Sequence, residues 1–183
     1  MGILSSYLGE IDLEAYGINE ETFTRASAMR LQLVSDWYQK VDKAALDILG
    51  TTAIVGSIGQ LLIARELKRL GIDKDFLSML EEKDVYQCEE ELLHTNSFFV
   101  SSDILTYWRL DTQIIDTIRY SYDISNAPQE IASLAMLNHI IFTLVSYDGT
   151  VAQEIPDDVL YHLSEAGLDP KPLNEALTKL HQA

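Results

Sequence analysis

One glutamate and one histidine, Glu91 and His94, have the spacing of metal ligands on a helix. Side chains three residues apart project from the same helical face, and di-iron bundles use such a Glu-x-x-His pair on each of two helices. The other histidines, His139, His162 and His181, have no glutamate three residues before them. The second half of a di-iron site is therefore missing, and we interpret His139 as a hydrogen-bonded core residue of an apolar helix.

Nucleophilic catalysis has no motif in this sequence. The segment 56–59, Gly-Ser-Ile-Gly, falls inside a predicted helix and not on a strand-to-helix elbow, so its glycines more simply allow another helix to pack closely. Cys88 is the single cysteine, and it lies on an apolar helical stripe, where we expect a small buried hydrophobe. The acidic run 89–91 is interpreted as a solvated helix face. No glycine-rich phosphate loop is present in the sequence.

The charge balance narrows the class of partner. The chain has 29 acidic and 13 basic residues and a formal net charge of −16, which argues against binding nucleic acid or an anionic membrane. Its apolar runs are far shorter than the ~20 residues that cross a bilayer, and its N-terminus lacks the basic and apolar segments of a secretion signal. A single cysteine excludes an internal disulfide. We therefore expect a cytoplasmic protein that binds neither nucleic acid nor membrane.

Helical periodicity runs through nearly the whole chain, and no alternating strand pattern interrupts it. Asn19 is a predicted helix cap, and the first helix should bury Ala26, Met29, Leu33, Trp37 and Val41. We expect a single all-α domain over residues 1–183, with its largest loop at 146–155. The predicted helices are 20–41, 42–50, 51–71 with Thr51 or Thr52 as cap, 73–80, 85–108, 111–120, 128–145, and two short ones after Pro156 and Pro170.

Three stretches of the chain match, in order, the pattern of one family. Residues 12–18 resemble a segment that enters the central helices, and residues 53–62 resemble an "LLHDIGKLLL"-type helix. Residues 89–97, with Trp108 eleven residues after Ser97, have the spacing of "E-x-E-L-L-G-x-D-H … W-x-L-P", and residues 118–120 stand where that pattern reads "I-R-Y-H-H". On these stretches the chain resembles the HDOD family, the HD-related output domain of bacterial signalling proteins. The resemblance covers about residues 4–168 and leaves 169–183 as a C-terminal helix.

The departures from this pattern fall on positions that hold a divalent metal in catalytic HD hydrolases. Where the family has His-Asp, Asp-His and His-His, this chain has small or uncharged side chains, and Asn138 or Ile141 stands near the remaining aspartate position. Hydroxyls and amides are weak ligands for such metals. The resemblance therefore implies an HD-like fold with no working metal site and no cofactor. The positions concerned, called the vestigial positions below, are Gly56, Ser57, Asn96, Ser97, Ser121 and Tyr122.

The resemblance implies a non-catalytic signal-transduction and protein-interaction module. HDOD domains commonly accompany receiver, cyclic-dinucleotide or histidine-kinase modules, so a protein partner in a bacterial signalling pathway is expected. The alternative is a residual metal-dependent phosphohydrolase that acts on a nucleotide or cyclic dinucleotide through Glu91, His94 and His139. A third hypothesis is a small-ligand-binding domain with a polar pocket around Ser57, Ser97 and Ser121.

Exposed aromatic side chains are the candidate contacts for such a partner. Trp37 and Trp108 lie on apolar helical faces, so we expect both in the core. Family members usually begin with a further layer of helices, and the apolar face left by its absence could drive formation of a homodimer. The candidate aromatics are Trp37, Tyr38, Tyr107, Trp108 and Tyr120.

Overall fold

Polar side chains cap the start of most helices in the computed structural model, which describes residues 12–39 and 42–182. The Asn19 side chain accepts a hydrogen bond from the Thr22 amide at 2.9 Å, and Asp42 accepts from the Ala44 and Ala45 amides. Such caps satisfy amides that have no partner within the helix. The helices are α1 Glu20–Tyr38, α2 Lys43–Val55, α3 Gly59–Leu70, α4 Asp73–Met79, α5 Val85–Leu93, α6 Ser97–Tyr107, α7 Thr112–Tyr120, α8 Gln129–Leu144, α9 Asp157–Glu165 and α10 Pro170–Leu180.

The predicted all-α class is confirmed. Short 3₁₀ turns at Glu14–Tyr16 and Ile124–Asn126 accompany the helices, and across the described ranges a lone bridge between Val145 and Val151 is the one β-type pairing. Gly71 and Gly167 follow the last turns of α3 and α9 with φ of 72° and 66°, as predicted for C-terminal glycines. Val41 and residues 1–11, where the family resemblance begins, lie outside the described residues.

The prediction that a helix ends at Gly50 was wrong. Helix α2 continues through Gly50 to Val55, so Thr51 and Thr52 lie inside it and cap nothing. A glycine within a helix costs only about 1 kcal/mol relative to alanine, which packing of the helix readily offsets. Leu49 and Ala53 on this helix are inaccessible to solvent.

The single long helix predicted from Val85 to Trp108 is two helices. His94 adopts the left-handed conformation with φ of 55° and ends α5, and Asn96 then caps α6 by accepting from the Phe98 and Phe99 amides. The only sequence signal for this break is Asn96, a residue type that favours helix starts, because neither glycine nor proline occurs there. The break matters for the site, because it turns the start of α6 toward the interior.

Two apolar clusters meet at the break between α2 and α3. The larger cluster draws on α1, α2, α6 to α8 and both C-terminal helices, and α10 packs on α1. The smaller cluster contains Tyr16, Phe76, Cys88 and the buried face of α3. Because the chain passes from one cluster to the other at residues 56–58, the polar groups buried there lie at their junction.

Residues Lys43–Leu70 satisfy a length and composition test for a membrane span, with a mean hydropathy of 1.6 in an 18-residue window. The buried core helices of a globular domain pass the same test. Here 56% of that window is buried, and the segment is two helices joined by a turn. Helix α2 packs against α1, α7 and α8, whereas α3 packs against α4 and α6.

Close packing of α3 on α6 requires Gly59. A methyl group on Gly59 would lie 2.3 Å from the Ser97 carbonyl oxygen and 2.7 Å from the Ser101 amide nitrogen, both of them backbone atoms. The Gly59 amide also donates to the Ser101 hydroxyl at 2.8 Å. The interpretation that these glycines permit close helix packing is thereby confirmed for Gly59.

We predict that Gly59→Ala lowers the free energy of unfolding by about 2–3 kcal/mol, because α3 and α6 must separate. Gly50→Ala is the matched control, since a methyl group there would touch only the Leu31 side chain at 3.4 Å. That control should stabilise the protein by about 0.5–1 kcal/mol through helix propensity. Urea denaturation of both variants checks the pair. Equal effects of the two substitutions would contradict the assigned role of Gly59.

Candidate functional site

The vestigial position Gly56 faces a phenylalanine ring. A methyl group on Gly56 would lie 2.7 Å from Phe142, a ring that also packs edge-on against Phe98 with centroids 5.1 Å apart. Both aromatic side chains are buried. Phe142 therefore occupies the space that a metal-binding histidine at position 56 would need.

A buried arginine lies on the same ring and binds the next vestigial position. Arg30 is fully inaccessible, and its guanidinium carbon lies 4.1 Å from the Phe142 centroid, a cation–π distance. Its Nη1 donates to the Ser57 hydroxyl at 2.5 Å, and its Nε donates to the Val145 carbonyl at 2.9 Å. Burial lowers the pKa of Arg30 to about 10, so the side chain remains a cation at neutral pH.

Among the described residues, no carboxylate contacts this cation directly, and the negative charge of Asp148 acts on it from a longer distance. Among the ion pairs of the described ranges none involves Arg30, and its Nη2 has no hydrogen-bond partner there. The Val145 carbonyl stands at the C-terminal end of α8, where the helix dipole is negative. The charge is thus stabilised by a ring face, a hydroxyl, a helix end and, at longer range, the Asp148 carboxylate.

The acidic run 89–91 is not one solvated face, contrary to the prediction from sequence. Glu89 is completely buried, and its carboxylate accepts from the Tyr16 hydroxyl at 2.6 Å and from the Ser97 amide at 2.5 Å. Glu90 accepts from the Asn96 side-chain amide and the Tyr122 hydroxyl, at 3.0 and 3.1 Å. These contacts employ Ser97, Asn96 and Tyr122, three of the vestigial positions, in binding glutamates rather than a metal.

A second buried polar group joins α2, α7 and α8. The Asn138 side-chain amide donates to the Ser121 hydroxyl at 2.8 Å, and the Thr52 hydroxyl donates to the Asn138 side-chain oxygen at 2.6 Å. The Ser121 carbonyl lies 2.9 Å from His139 Nδ1. Asn138, one of the two residues considered for the remaining aspartate position, therefore contacts the vestigial position Ser121.

The residues assigned to the alternative metal site are engaged elsewhere. Glu91 pairs with Lys83 at the surface, His94 is exposed at the end of α5, and the His139 ring packs 5.9 Å from His162. Over residues 12–39 and 42–182, no group of three or more His, Cys, Asp or Glu side chains is arranged to hold a metal ion. The vestigial positions do not fit a divalent metal either, since they present hydroxyls, amides and the cation of Arg30.

Sequence reasoning missed three residues that build this site. The role of Arg30 was not recognised because apolar residues surround it on α1. The burial of Glu89 was not predicted because the two glutamates that follow it suggested a solvated run. Phe142 looked like ordinary core. One signal was available for Arg30, because it is the charged residue on the face that also carries Ala26, Leu33 and Trp37.

Comparison with solved structures identifies the architecture. A virulence factor from Campylobacter jejuni has a TM-score of 0.75 at 19% identity, covering 96% of this chain and 67% of its own. A candidate phosphohydrolase from Shewanella amazonensis has a TM-score of 0.64 at 18% identity, with coverages of 98% and 66%. The fold is all-helical and HD-like. The chain spans about two thirds of the length of each neighbour, and likeness at this identity shows the fold alone.

Comparison by sequence gives no further assignment. No family model matches the chain, and no curated protein matches it.

Burial raises the pKa of the Glu89 carboxyl to about 7, an effect that the Tyr16 and Ser97 hydrogen bonds oppose. The folded state therefore binds a proton more tightly than the unfolded chain. This contribution to stability is present below about pH 4.5 and is lost as the pH rises through about 7.

We predict that Glu89→Gln removes this decline in the free energy of unfolding with rising pH. As the pH rises from 5 to 8, the free energy of unfolding of the variant should increase by about 1–3 kcal/mol relative to that of the wild type. Urea denaturation at each pH measures this difference. Parallel pH profiles would contradict the assignment.

Proposed function

We propose that this protein is a non-catalytic signal-relay module that acts by binding a protein partner in a bacterial signalling pathway. The observation that supports the proposal most is the filling of the vestigial positions, with Phe142 packed on Gly56 and the Arg30 guanidinium on Ser57. A fixed cation at this place would repel a divalent metal.

The HD-like fold and the motif resemblance support a place in bacterial signalling. The candidate phosphohydrolase among the structural neighbours is consistent with descent from a hydrolase scaffold, although the two chains are only 18% identical. The excess of acidic residues supports a protein partner in the cytoplasm over nucleic acid or membrane. We further propose that no metal or cofactor takes part.

The turn between α6 and α7 supports one contact surface. Tyr107 is 82% exposed and Trp108 is 37% exposed, whereas Trp37 and Tyr38 are buried. The expectation of a core position is thus confirmed for Trp37 and wrong for Trp108. The turn is fixed because Arg109 is left-handed and the Leu110 amide donates to the Leu105 carbonyl at 3.1 Å. Exposed, rigidly held aromatics of this kind often anchor protein interfaces.

Metal analysis and a turnover screen test the non-catalytic part. Protein purified without chelator should contain less than about 0.1 equivalent of Mn, Fe, Zn or Mg, because the vestigial positions lack strong ligands. It should not hydrolyse phosphodiesters, nucleotides or cyclic dinucleotides supplied with each metal. Stoichiometric metal together with turnover would favour the residual phosphohydrolase instead.

Affinity capture from the native cell, followed by mass spectrometry, tests the relay part. Substitution Tyr107→Ala should reduce recovery of the partner at least 10-fold without changing stability, because the side chain is solvent-exposed. Tyr161→Ala is the control, since that tyrosine is 62% exposed on a different helix, α9. A partner recovered equally with both variants would exclude the α6–α7 turn as the contact surface.

A further inference from the structure

A cavity of about 490 Å³ lies beside the filled vestigial positions, and one of these positions, Tyr122, lines it. We call it the tyrosine cleft, since Tyr86, Tyr122 and Tyr147 line it together with Phe98 and Phe142. It opens between the loop before α5, the C-terminal half of α8 with the loop that follows it, and the first turn of α9. This volume is in the range of sites for small organic molecules.

The aromatic walls are held in place by one another. Tyr86 packs against Phe98 with centroids 4.5 Å apart and against Tyr122 at 6.1 Å. Within the described ranges the hydrogen-bond pairs include Tyr122 with Glu90 but none made by the hydroxyls of Tyr86 or Tyr147. The walls are therefore preformed, with ring faces and two hydroxyl groups left for a ligand.

The charges at the cleft are mainly negative. Asp84 and Asp158 line it, and Lys83, the one cationic side chain among its described lining residues, has its ammonium bound to Glu91 at 2.6 Å. Arg30 offers no compensation, since it lies against Phe142, donates to Ser57 and Val145, and is not among the lining residues. Among the described lining residues, an anionic ligand would meet two carboxylates and one lysine that is already paired.

His139 adds a hydrogen-bond acceptor to this wall. Burial lowers the pKa of its imidazole, so the ring is neutral near pH 7. Its Nδ1 lies 2.9 Å from the Ser121 carbonyl and must carry the proton to donate there. The Nε2 atom is consequently left as an acceptor.

From this lining we infer that the tyrosine cleft binds a small organic cation, a protonated or quaternary amine with an apolar or aromatic body. Aromatic faces attract such cations through their quadrupoles, and the two aspartates and the unprotonated imidazole nitrogen supply negative charge and acceptors. The inference goes beyond the relay function and does not rest on it. It also replaces the polar pocket expected around Ser57, Ser97 and Ser121, since these serines are buried and hydrogen-bonded within the protein.

Three probes of similar size and different charge test this inference by NMR titration of the purified chain in 150 mM salt. They are benzyltrimethylammonium, benzyl alcohol and phenyl phosphate. The cation should bind with a Kd of about 0.1–1 mM, at least 10-fold more tightly than phenyl phosphate, with benzyl alcohol between them. Phenyl phosphate binding as tightly as the cation, or no saturable binding of the cation, would overturn the inference.

Two neighbouring aspartates provide a matched pair of variants. Asp158→Asn should weaken binding of the cation about 3- to 10-fold and change binding of benzyl alcohol less than 2-fold, because only the charge differs. Asp157→Asn, in the same first turn of α9 but outside the cleft lining, should leave both affinities within 2-fold. An equal loss in the two variants would mean that the cation binds the acidic surface in general, and the inference would fail.

A blocking variant locates the site. Thr143 lines the cleft from α8 and is solvent-exposed, so Thr143→Trp can fill the cavity without disturbing the core. Binding of the cation and of benzyl alcohol should both be lost, while the circular dichroism spectrum and thermal midpoint stay those of wild type. Unchanged binding to this folded variant would place the site elsewhere and refute the assignment.

Discussion

The buried guanidinium of Arg30 constrains the centre of this domain. A charged group without access to water must be surrounded by dipoles or polarisable groups, because its desolvation otherwise costs several kcal/mol. Here the partners come from three places in the chain: the Ser57 hydroxyl at the α2–α3 break, the Val145 carbonyl at the end of α8 and the ring of Phe142. The Arg30 side chain contacts all three, so it fixes the position of α1 relative to the α2–α3 break and to α8.

The two glycines at the α2–α3 break solve different packing problems. Gly56 leaves room for the Phe142 ring, whereas Gly59 lets the backbone of α3 approach that of α6. The Ser101 hydroxyl ties the pair together, since it donates to the Gly56 carbonyl at 2.7 Å and accepts from the Gly59 amide. The small side chains at positions 56 and 59 thus leave room for neighbouring helices, which supply packing volume and hydrogen bonds there.

Much of the fold could be predicted from local patterns in the sequence. Helix ends are an example, because the groups that cap them lie close to them in the chain. Asn19 and Asp42 cap helix starts, glycines follow helix ends, and both kinds of signal are visible in the sequence. The site depended on contacts between distant residues, which no spacing encodes. The hydrogen bond between Glu89 and Tyr16 joins residues 73 positions apart, and the one between Arg30 and Val145 joins residues 115 positions apart. The family resemblance identified the vestigial positions, but it did not predict that Phe142 and Arg30 contact them.

The packing of Phe142 against Gly56 bears on how such a protein could change over evolutionary time. A histidine restored at position 56 would collide with the ring, and a smaller residue at position 142 would leave a void beside a buried charge. Neither step is tolerable while Arg30 remains, and loss of Arg30 alone would strand its acceptors. Introduction of a histidine at position 56 would therefore require several simultaneous substitutions, so the present packing resists it one residue at a time.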